Sequence, residues 1–305
     1  MISRYFVVIL IVLSAVAILS LPKAGLNLDV TSSVASQVNS STIAVNEPYP
    51  VPKSGFVEAP QISAIAATVV DNKTGITMYE KSPNLRHLPA STTKLMTALV
   101  ALEKCSPGDI IQVQSVEGEG SQMGLQVGDK VTVENLLYGL LIPSGNDAAF
   151  VLAHKCGDSY DQYIAAMNRK AKDLGMTNTH FVNPAGYDNE LQYTTASDLA
   201  LLARVAVANP MIARIVKIKS TVVTDITGIR TYYLENVNKL LGIVPGVEGV
   251  KTGETDGALE NLITKTTRNG NSILVSVLGS QDRFRDSKSL IEWAFQNYQW
   301  AGGGK

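Results

Sequence analysis

Strand-type segments at the two ends of the chain enclose a helical middle, and this order is the strongest constraint on the fold. Near the start, Ala64–Val70 and Ile76–Tyr79 flank a turn-forming stretch and predict a hairpin. Near the end, a second hairpin is predicted around Asn269-Gly270, a pair that readily takes the positive φ angles of a type I′ turn. The remaining predicted strands are Val222–Asp225, Thr231–Leu234, Val247–Thr252, Asn261–Thr267 and Ser272–Leu278. The order predicts an α+β fold, with one mainly antiparallel sheet built from both ends of the chain and flanked by helices.

Apolar residues at helical spacing fill the middle of the chain. Two such stripes are Leu95, Leu99, Leu102 and Ile164, Met167, Ala171, Leu174. Thr195, with Asp198 three residues later, is typical of an N-cap for a helix over Leu199–Ala208, which Pro210 ends. Apolar residues between Leu290 and Phe295 predict a closing helix.

The composition excludes several classes of protein. The chain has 26 Lys plus Arg against 27 Asp plus Glu, a net charge of −1, so it lacks the excess positive charge that nucleic-acid binding uses. Two cysteines and three histidines, all scattered, form no metal-site pattern, and we expect neither a metal nor another cofactor. With 45% apolar residues, the 305-residue chain can form one large globular domain or two modest ones.

The first 62 residues have the composition of an export segment followed by a linker. Tyr5–Pro22 is an uncharged apolar run of 18 residues behind Arg4, a length between that of a cleaved signal core and that of a membrane span. Residues 1–24 are therefore either a signal peptide or, as we expect, a retained membrane anchor. Residues 25–62 are interpreted as a linker, because 14 of the 30 residues from Thr31 to Pro60 are Ser, Thr, Asn or Pro. Residues 63–300 are then the folded domain, and 301–305 a tail.

Ser91 and Lys94 form the first motif with chemical potential. They lie at the start of the first predicted helix, and residues i and i+3 share one helical face. A serine hydroxyl becomes a nucleophile when a neighbouring base takes its proton, and a lysine with a lowered pKa is such a base. The alternative is an ordinary N-cap serine beside a solvated lysine, since Ser-x-x-Lys alone is a weak signal.

Two further motifs are equally weak when taken singly. Ser144-Gly145-Asn146 follows an apolar helix, where Ser144 is able to pass a proton and Asn146 to bind an amide; the alternative is an ordinary turn. Lys251-Thr252-Gly253 ends a predicted strand and presents a cation and a hydroxyl that suit a carboxylate. The alternative there is an edge strand with a protective charge.

The three motifs together, in this order in an exported chain, resemble those of the D-alanyl-D-alanine carboxypeptidases, the low-molecular-mass penicillin-binding proteins. The resemblance extends over roughly residues 64–298. It implies the penicillin-recognising serine peptidase fold, related to β-lactamases and transpeptidases, in which a five-stranded antiparallel sheet lies between helices. It also implies a location in the bacterial cell envelope outside the cytoplasm, peptidoglycan stem peptides ending in D-Ala-D-Ala as substrates, and β-lactams as covalent inhibitors.

The resemblance also assigns roles to the motif residues. Ser91 attacks the carbonyl between two D-alanines, Lys94 takes its proton, and Ser144 relays a proton to the leaving amine. Asn146 holds Lys94 and the substrate. The substrate-binding residues it implies, by contact with the terminal carboxylate or through the oxyanion hole, are Lys251, Thr252, Gly253, Glu254 and Arg283. For Arg283, a surface salt bridge is an equal alternative.

The chain departs from the family pattern in three places. Glu254-Thr255-Asp256-Gly257-Ala258 replaces the usual Ala-Gly pair after Lys-Thr-Gly, and sets two acids at a site expected to receive an anion. Ala185 stands where a histidine is common. We expect no extra β domain and no C-terminal anchor.

Several alternatives stay open on the sequence. A D,D-endopeptidase would use the same residues, a β-lactamase is a further enzymatic rival, and a catalytically idle wall-binding module would keep the cleft without turnover. Cys105 and Cys156 each end a predicted helix; they form either a disulfide, which an exported protein would retain, or two separate buried thiols.

Overall fold

The computed structural model describes residues 47–302. The strands are β1 Tyr49–Pro52, β2 Ala66–Asp71, β3 Thr77–Lys81, β4 Ile110–Gln112, β5 Lys130–Thr132, β6 Ser220–Thr224, β7 Thr231–Glu235, β8 Val247–Thr255, β9 Leu259–Arg268, β10 Asn271–Ser280 and β11 Tyr298–Ala301. The helices are α1 Lys94–Lys104, α2 Val133–Leu141, α3 Asn146–Lys155, α4 Tyr160–Asp173, α5 Ala196–Ala208, α6 Pro210–Ile215 and α7 Arg283–Asn297, with a 3₁₀ turn over Ala90–Thr93 before α1.

The main sheet has five antiparallel strands in the order β3-β2-β10-β9-β8, so the predicted α+β sheet from both chain ends is confirmed. The β9–β10 hairpin closes where the sequence predicts it. Asn269 and Gly270 have φ of +50° and +81°, and Arg268 pairs with Asn271 across the turn. Strand β8 lies at an edge of the sheet, and this places Lys251-Thr252-Gly253 at that edge.

Helices cover both faces of this sheet, because the odd- and even-numbered residues of its strands pack in different clusters of buried residues. In β2 and β10 the even-numbered residues Ala66, Leu274 and Leu278 belong to the cluster of buried residues formed with α1 to α6. The odd-numbered Val275 and Val277 belong to a second cluster, formed with α7. Successive side chains of a strand point to opposite faces, so the central strands are apolar on both faces and the sheet is enclosed between two helical layers.

Strands β6 and β7 correct the prediction of a single main sheet. They form a separate two-stranded sheet, in which Val222 pairs with Tyr233. In β7 every second residue is buried, among them Leu234, whereas Tyr233 is 81% exposed. A central strand of the main sheet would be buried on both faces. The alternation of buried and exposed residues in β7 instead fits a hairpin with one face packed on the helical layer and the other exposed to solvent.

The folded part begins earlier than the sequence suggests. Tyr49–Pro52 lies in the stretch interpreted as a linker, yet it pairs antiparallel with Tyr298–Ala301, which reaches into the expected tail. The proline at position 52 lacks an N–H, and a strand with only one neighbour tolerates this. Between residues 47 and 302, no helix is both long enough and apolar enough to cross a membrane. The apolar run at Tyr5–Pro22 lies outside the described residues.

A disulfide between Cys105 and Cys156 decides between the two alternatives that the sequence left open. The cysteines follow the last residues of α1 and α3, and their Cα atoms are 5.5 Å apart. The opposite ends of the same two helices begin at Lys94 and Asn146. The disulfide thus joins two helices that both start at the predicted site.

Candidate active site

Ser91 lies on the 3₁₀ turn that leads into α1, against the edge strand β8. Ala90 beside it has φ of +47°, an unfavourable backbone conformation for a residue with a Cβ. A Cβ at Gly253 would come within 3.1 Å of the Ser91 nitrogen and 3.0 Å of the Ala90 Cβ. Glycine at position 253 therefore lets β8 approach the serine turn closely, a contact that the sequence pattern did not reveal.

Lys94 projects from the first turn of α1 to Ser91, as the i, i+3 spacing predicts. Its Nζ lies 2.8 Å from the Ser91 Oγ and donates a hydrogen bond of 2.6 Å to the Ala185 carbonyl. The side chain is completely buried. Burial and the nearby charge of Lys251 lower the pKa of Lys94 well below its usual range, against an opposing effect of Asp147. The alternative of a solvated lysine is wrong, because the amino group is buried beside the serine hydroxyl, where its neutral form is favoured.

Ser144 and Lys251 form a second serine–lysine pair. Ser144 lies in the connection between α2 and α3 with φ of +65°, and its Oγ accepts a 2.8 Å hydrogen bond from the Lys251 Nζ. Lys251 also donates to the carbonyl of Thr252 and is buried. Burial, and then the charge of Arg283, lower the pKa of Lys251 to about 7. The second and third motifs thus meet, although 107 residues separate them.

Asn146 begins α3 and is held by a neighbouring loop. Its side-chain amide donates to the Glu119 carbonyl, and its backbone N–H donates to the Ser121 carbonyl. The hydrogen bonds of Lys94 go to Ser91 and Ala185, so Asn146 does not hold Lys94 in the way that the resemblance implies.

Sequence reasoning missed Asp147, which fixes this loop. Its carboxylate is fully buried and accepts hydrogen bonds from the backbone N–H groups of Met123, Gly124 and Leu125. An acid in the first turn of a helix was the available signal. The groups it binds are about 25 residues earlier and were not identifiable from the sequence.

Arg283 is the first residue of α7, and its side chain contacts the edge strand β8. Its Nη1 donates to the Gly253 carbonyl at 3.0 Å, and its Nη2 lies 2.9 Å from a carboxylate oxygen of Glu254. The Arg283 side chain is 7% exposed, so it is not a surface residue, whereas that of Glu254 is 62% exposed. Thr252, which is also expected to meet a carboxylate, is buried on β8.

A cleft of about 290 Å³ opens at Ser91. Its lining residues are Ser91, Glu119, Gly120, Ser121, Asn146, Ala185, Gly186, Tyr187, Glu254 and Thr255. Asp188 fixes the end of β8 at this cleft, because its carboxylate accepts hydrogen bonds from the Thr255 hydroxyl and the Gly257 N–H. These contacts occupy the segment that departs from the family pattern. Ala185 also departs from it, yet it takes part in the site through its backbone carbonyl.

A five-stranded antiparallel sheet between helices, with a Ser-x-x-Lys turn beside its edge strand, is the penicillin-recognising fold. The crystal structure of the Streptomyces K15 DD-transpeptidase has this fold. It matches with a TM-score of 0.75 and 34% identity, covering 79% of this chain and 100% of that one. The family model described as D-alanyl-D-alanine carboxypeptidase, peptidase S11, matches residues 53–282. The chain belongs to this family.

Relatives of known name agree with this assignment. The D-alanyl-D-alanine carboxypeptidase DacF of Bacillus subtilis (strain 168) is 33% identical over 247 residues, which is 77% of this chain and 63% of the relative. The D-alanyl-D-alanine carboxypeptidase of Streptomyces sp. (strain K15) is 36% identical over 260 residues, which is 78% of this chain and 89% of the relative. The chain thus spans less than two thirds of the first relative and most of the second.

Proposed function

We propose that the protein is a serine-type D-Ala-D-Ala carboxypeptidase, which removes the terminal D-alanine from peptidoglycan stem peptides through an acyl-enzyme on Ser91. The observation that carries this proposal is the buried Lys94 amine 2.8 Å from the Ser91 hydroxyl, at the floor of a cleft. A lysine that is neutral near physiological pH is able to accept the serine proton. The names of the family and of its relatives support the choice of substrate.

Acylation uses both serine–lysine pairs. Lys94 takes the proton of Ser91 as the Oγ attacks the carbonyl carbon between the two D-alanines. Backbone N–H groups of Ser91 and Glu254 stabilise the oxyanion. When the C–N bond breaks, Ser144 gives its proton to the leaving amine and Lys251 restores that proton. Before deacylation Lys94 releases the proton of Ser91 to solvent, and Lys251 takes one up. Water then attacks the ester, Lys94 accepts a proton from that water, and the acyl–oxygen bond breaks as Lys94 returns the proton to the Ser91 Oγ.

Recognition of the substrate uses the edge strand. A peptide that pairs with the outer edge of β8 has its terminal carboxylate near Lys251 and Thr252, with Arg283 behind them. Asn146 contributes its amide to the substrate, as the cleft lining allows. β-Lactams carry a carboxylate beside an acylating carbonyl, and we expect them to acylate Ser91 as covalent inhibitors.

The proposed place of action is the outer side of the bacterial cytoplasmic membrane. The family and the disulfide support a location outside the cytoplasm. Retention of residues 1–24 as an anchor rests on the sequence alone, and membrane fractionation with N-terminal sequencing tests it.

Incubation with a pentapeptide ending in D-Ala-D-Ala tests the activity. Mass spectrometry should show the peptide losing one alanine residue, and labelled penicillin should add its mass to the protein. The Ser91→Ala variant should show neither change, while its circular dichroism spectrum stays that of the wild type. Penicillin labelling that persists in Ser91→Ala would place the nucleophile at another residue. Release of crosslinked dimers without loss of alanine would favour the endopeptidase.

A further inference from the structure

The side chain of Glu254 forms an ion pair with Arg283, the residue that the family resemblance assigns to a substrate carboxylate. Its carboxylate oxygen lies 2.9 Å from the Arg283 Nη2. Glu254 lines the cleft above Ser91 and also an adjoining cavity of about 760 Å³, whereas Arg283 lines neither. The glutamate therefore stands between the guanidinium and the space that a ligand enters.

The two partners of this ion pair differ in how readily they move. Arg283 is fixed, because its side chain is 7% exposed and its Nη1 donates to the Gly253 carbonyl. Glu254 is 62% exposed, and no other ion pair within residues 47–302 holds its carboxylate. An ion pair with one solvated partner is weak, so the Glu254 side chain is able to leave while Arg283 stays.

Arg283 also has hydrogen-bonding capacity left over. Its Nε is buried and lacks a hydrogen-bond partner within the described chain. A planar guanidinium binds a carboxylate best through two parallel N–H groups, and Glu254 engages only one. A ligand carboxylate that reaches both groups would bind better than the internal one.

We infer that Glu254 is an internal competitor for the carboxylate site, and that a substrate must displace its side chain from Arg283 before its own terminal carboxylate binds. This inference rests on the proposed function and adds a specificity-determining residue to it. Ligands with a free terminal carboxylate complete the exchange. Ligands without one leave the Glu254–Arg283 pair in place.

Two acyl donors and two variants test the exchange. The donors are an N-acylated peptide ending in D-Ala-D-Ala and an N-acyl-D-alanine methyl ester, which has no carboxylate in its leaving group. Glu254→Gln retains the backbone N–H but removes the competing charge. It should lower KM for the peptide by about two- to fivefold, in line with the small strength of a half-exposed pair, and lower KM for the methyl ester by a smaller factor. Asp256→Asn is the matched control, since it removes an exposed acid two residues away that makes no ion pair within the described residues.

The Asp256→Asn control separates displacement of Glu254 from the general effect of removing a negative charge near the site. An equal gain for the peptide in Asp256→Asn and Glu254→Gln would overturn the inference, as would an equal gain for both donors in Glu254→Gln. In an Arg283→Gln background, Glu254→Gln should bring no further gain. Calorimetry of peptide binding to Ser91→Ala, with and without Glu254→Gln, tests the exchange without catalysis. Glu254→Gln should lower the Kd for the peptide. A wild type that neither cleaves peptide nor labels with penicillin would therefore refute the proposed function and leave the exchange still measurable.

Discussion

Lys94 carries its amino group into a fully buried position, and burial changes what that group does. A solvated lysine stays protonated near neutral pH and has no lone pair to accept a proton. Burial, with the charge of Lys251 nearby, lowers the pKa of Lys94 well below its usual range and favours the neutral amine beside Ser91. The proposed acylation uses this amine as its base, a role that a solvated, protonated lysine does not fill.

Replacing Lys94 by arginine tests this role. Lys94→Arg retains a positive charge but does not accept a proton near neutral pH, so we expect the acylation rate of Ser91 by penicillin to fall by about 100-fold or more. Stopped-flow or labelling kinetics measure the rate. Lys104→Arg, at the exposed end of the same helix, is the control and should acylate normally. Normal acylation in Lys94→Arg would show that another group is the base.

The lowered pKa of Lys251 predicts a pH dependence of substrate capture. In the proposed mechanism protonated Lys251 attracts the terminal carboxylate, and its pKa of about 7 means that this charge is lost as the pH rises through 7 in the free enzyme. At acidic pH, protonation of Lys94 removes the base. We expect kcat/KM for the D-Ala-D-Ala peptide to decline above about pH 7, and to decline more steeply than that for the methyl ester, which uses the Ser144–Lys251 proton but makes no carboxylate contact. Parallel pH profiles for the two donors would contradict the proposed contact between Lys251 and the carboxylate.

Helices α1 and α3 connect the site to the disulfide. Each begins at the cleft, with Lys94 and Asn146, and each ends at a cysteine of the Cys105–Cys156 pair. The bond closes a loop across a separation of 51 residues. It restricts the unfolded chain and also keeps two helices that carry site residues adjacent at their far ends.

Removing the disulfide should destabilise the fold. For Cys105→Ser/Cys156→Ser we expect the free energy of unfolding to fall by about 2–4 kcal/mol, as loop closure across this separation implies. Urea unfolding monitored by fluorescence gives the value. Reductant should produce a similar loss in the wild type and no change in the double variant. Equal stability of wild type and variant would show that the bond contributes nothing.

Local sequence patterns predicted the turns and helix caps well. They did not predict elements whose formation depends on a segment far away in the sequence. The Asn269-Gly270 turn is as predicted, and the hydroxyl of Thr195 caps α5 by accepting from the Asp198 N–H. Pro210 follows the end of α5, but it also begins α6 behind the Asn209 cap. Strand β1 was missed because β11, the strand with which it pairs in the described part of the chain, lies about 250 residues later.

The same distinction holds in the site. The contact between Ser91 and Lys94 follows from helical spacing, and it was predicted. The pairing of Ser144 with Lys251 spans 107 residues, so the resemblance to a family was needed to bring the motifs together. The Arg283–Glu254 ion pair joins α7 to β8 and depends on the packing of that helix behind the sheet. No pattern within either segment indicates it.

For the molecule as a whole, the buried amines lower stability at neutral and acidic pH. The unfolded chain binds a proton at Lys251 up to about pH 10.5, whereas the folded protein releases it near 7, so the unfolded state holds more protons between these values. Stability therefore rises with pH across this range, and Lys94 acts in the same direction. The two buried lysines of the site therefore lower the free energy of unfolding at neutral and acidic pH.

Lys251→Met should accordingly stabilise the protein while abolishing peptide cleavage. At pH 6 we expect its free energy of unfolding to exceed that of the wild type by roughly 1–3 kcal/mol, after the lost hydrogen bond to Ser144 is allowed for. The difference should shrink as the pH rises towards 10. Denaturant unfolding at a series of pH values measures it. A variant less stable than the wild type at pH 6 would show that Lys251 is not destabilising when protonated.

The pairing of β2 with β10 has a consequence for how the chain is made. Ala66 pairs with Leu278 and Asp71 with Ile273. During synthesis, β2 therefore lacks this partner strand until about 200 further residues have been translated. Until then the β2–β3 hairpin has an open, apolar edge, and such edges associate with other chains. A ribosome that stalls before residue 271 leaves every copy with this edge exposed. Production of the protein should thus depend on uninterrupted synthesis or on a chaperone that covers β2, more than on the speed with which its helices form.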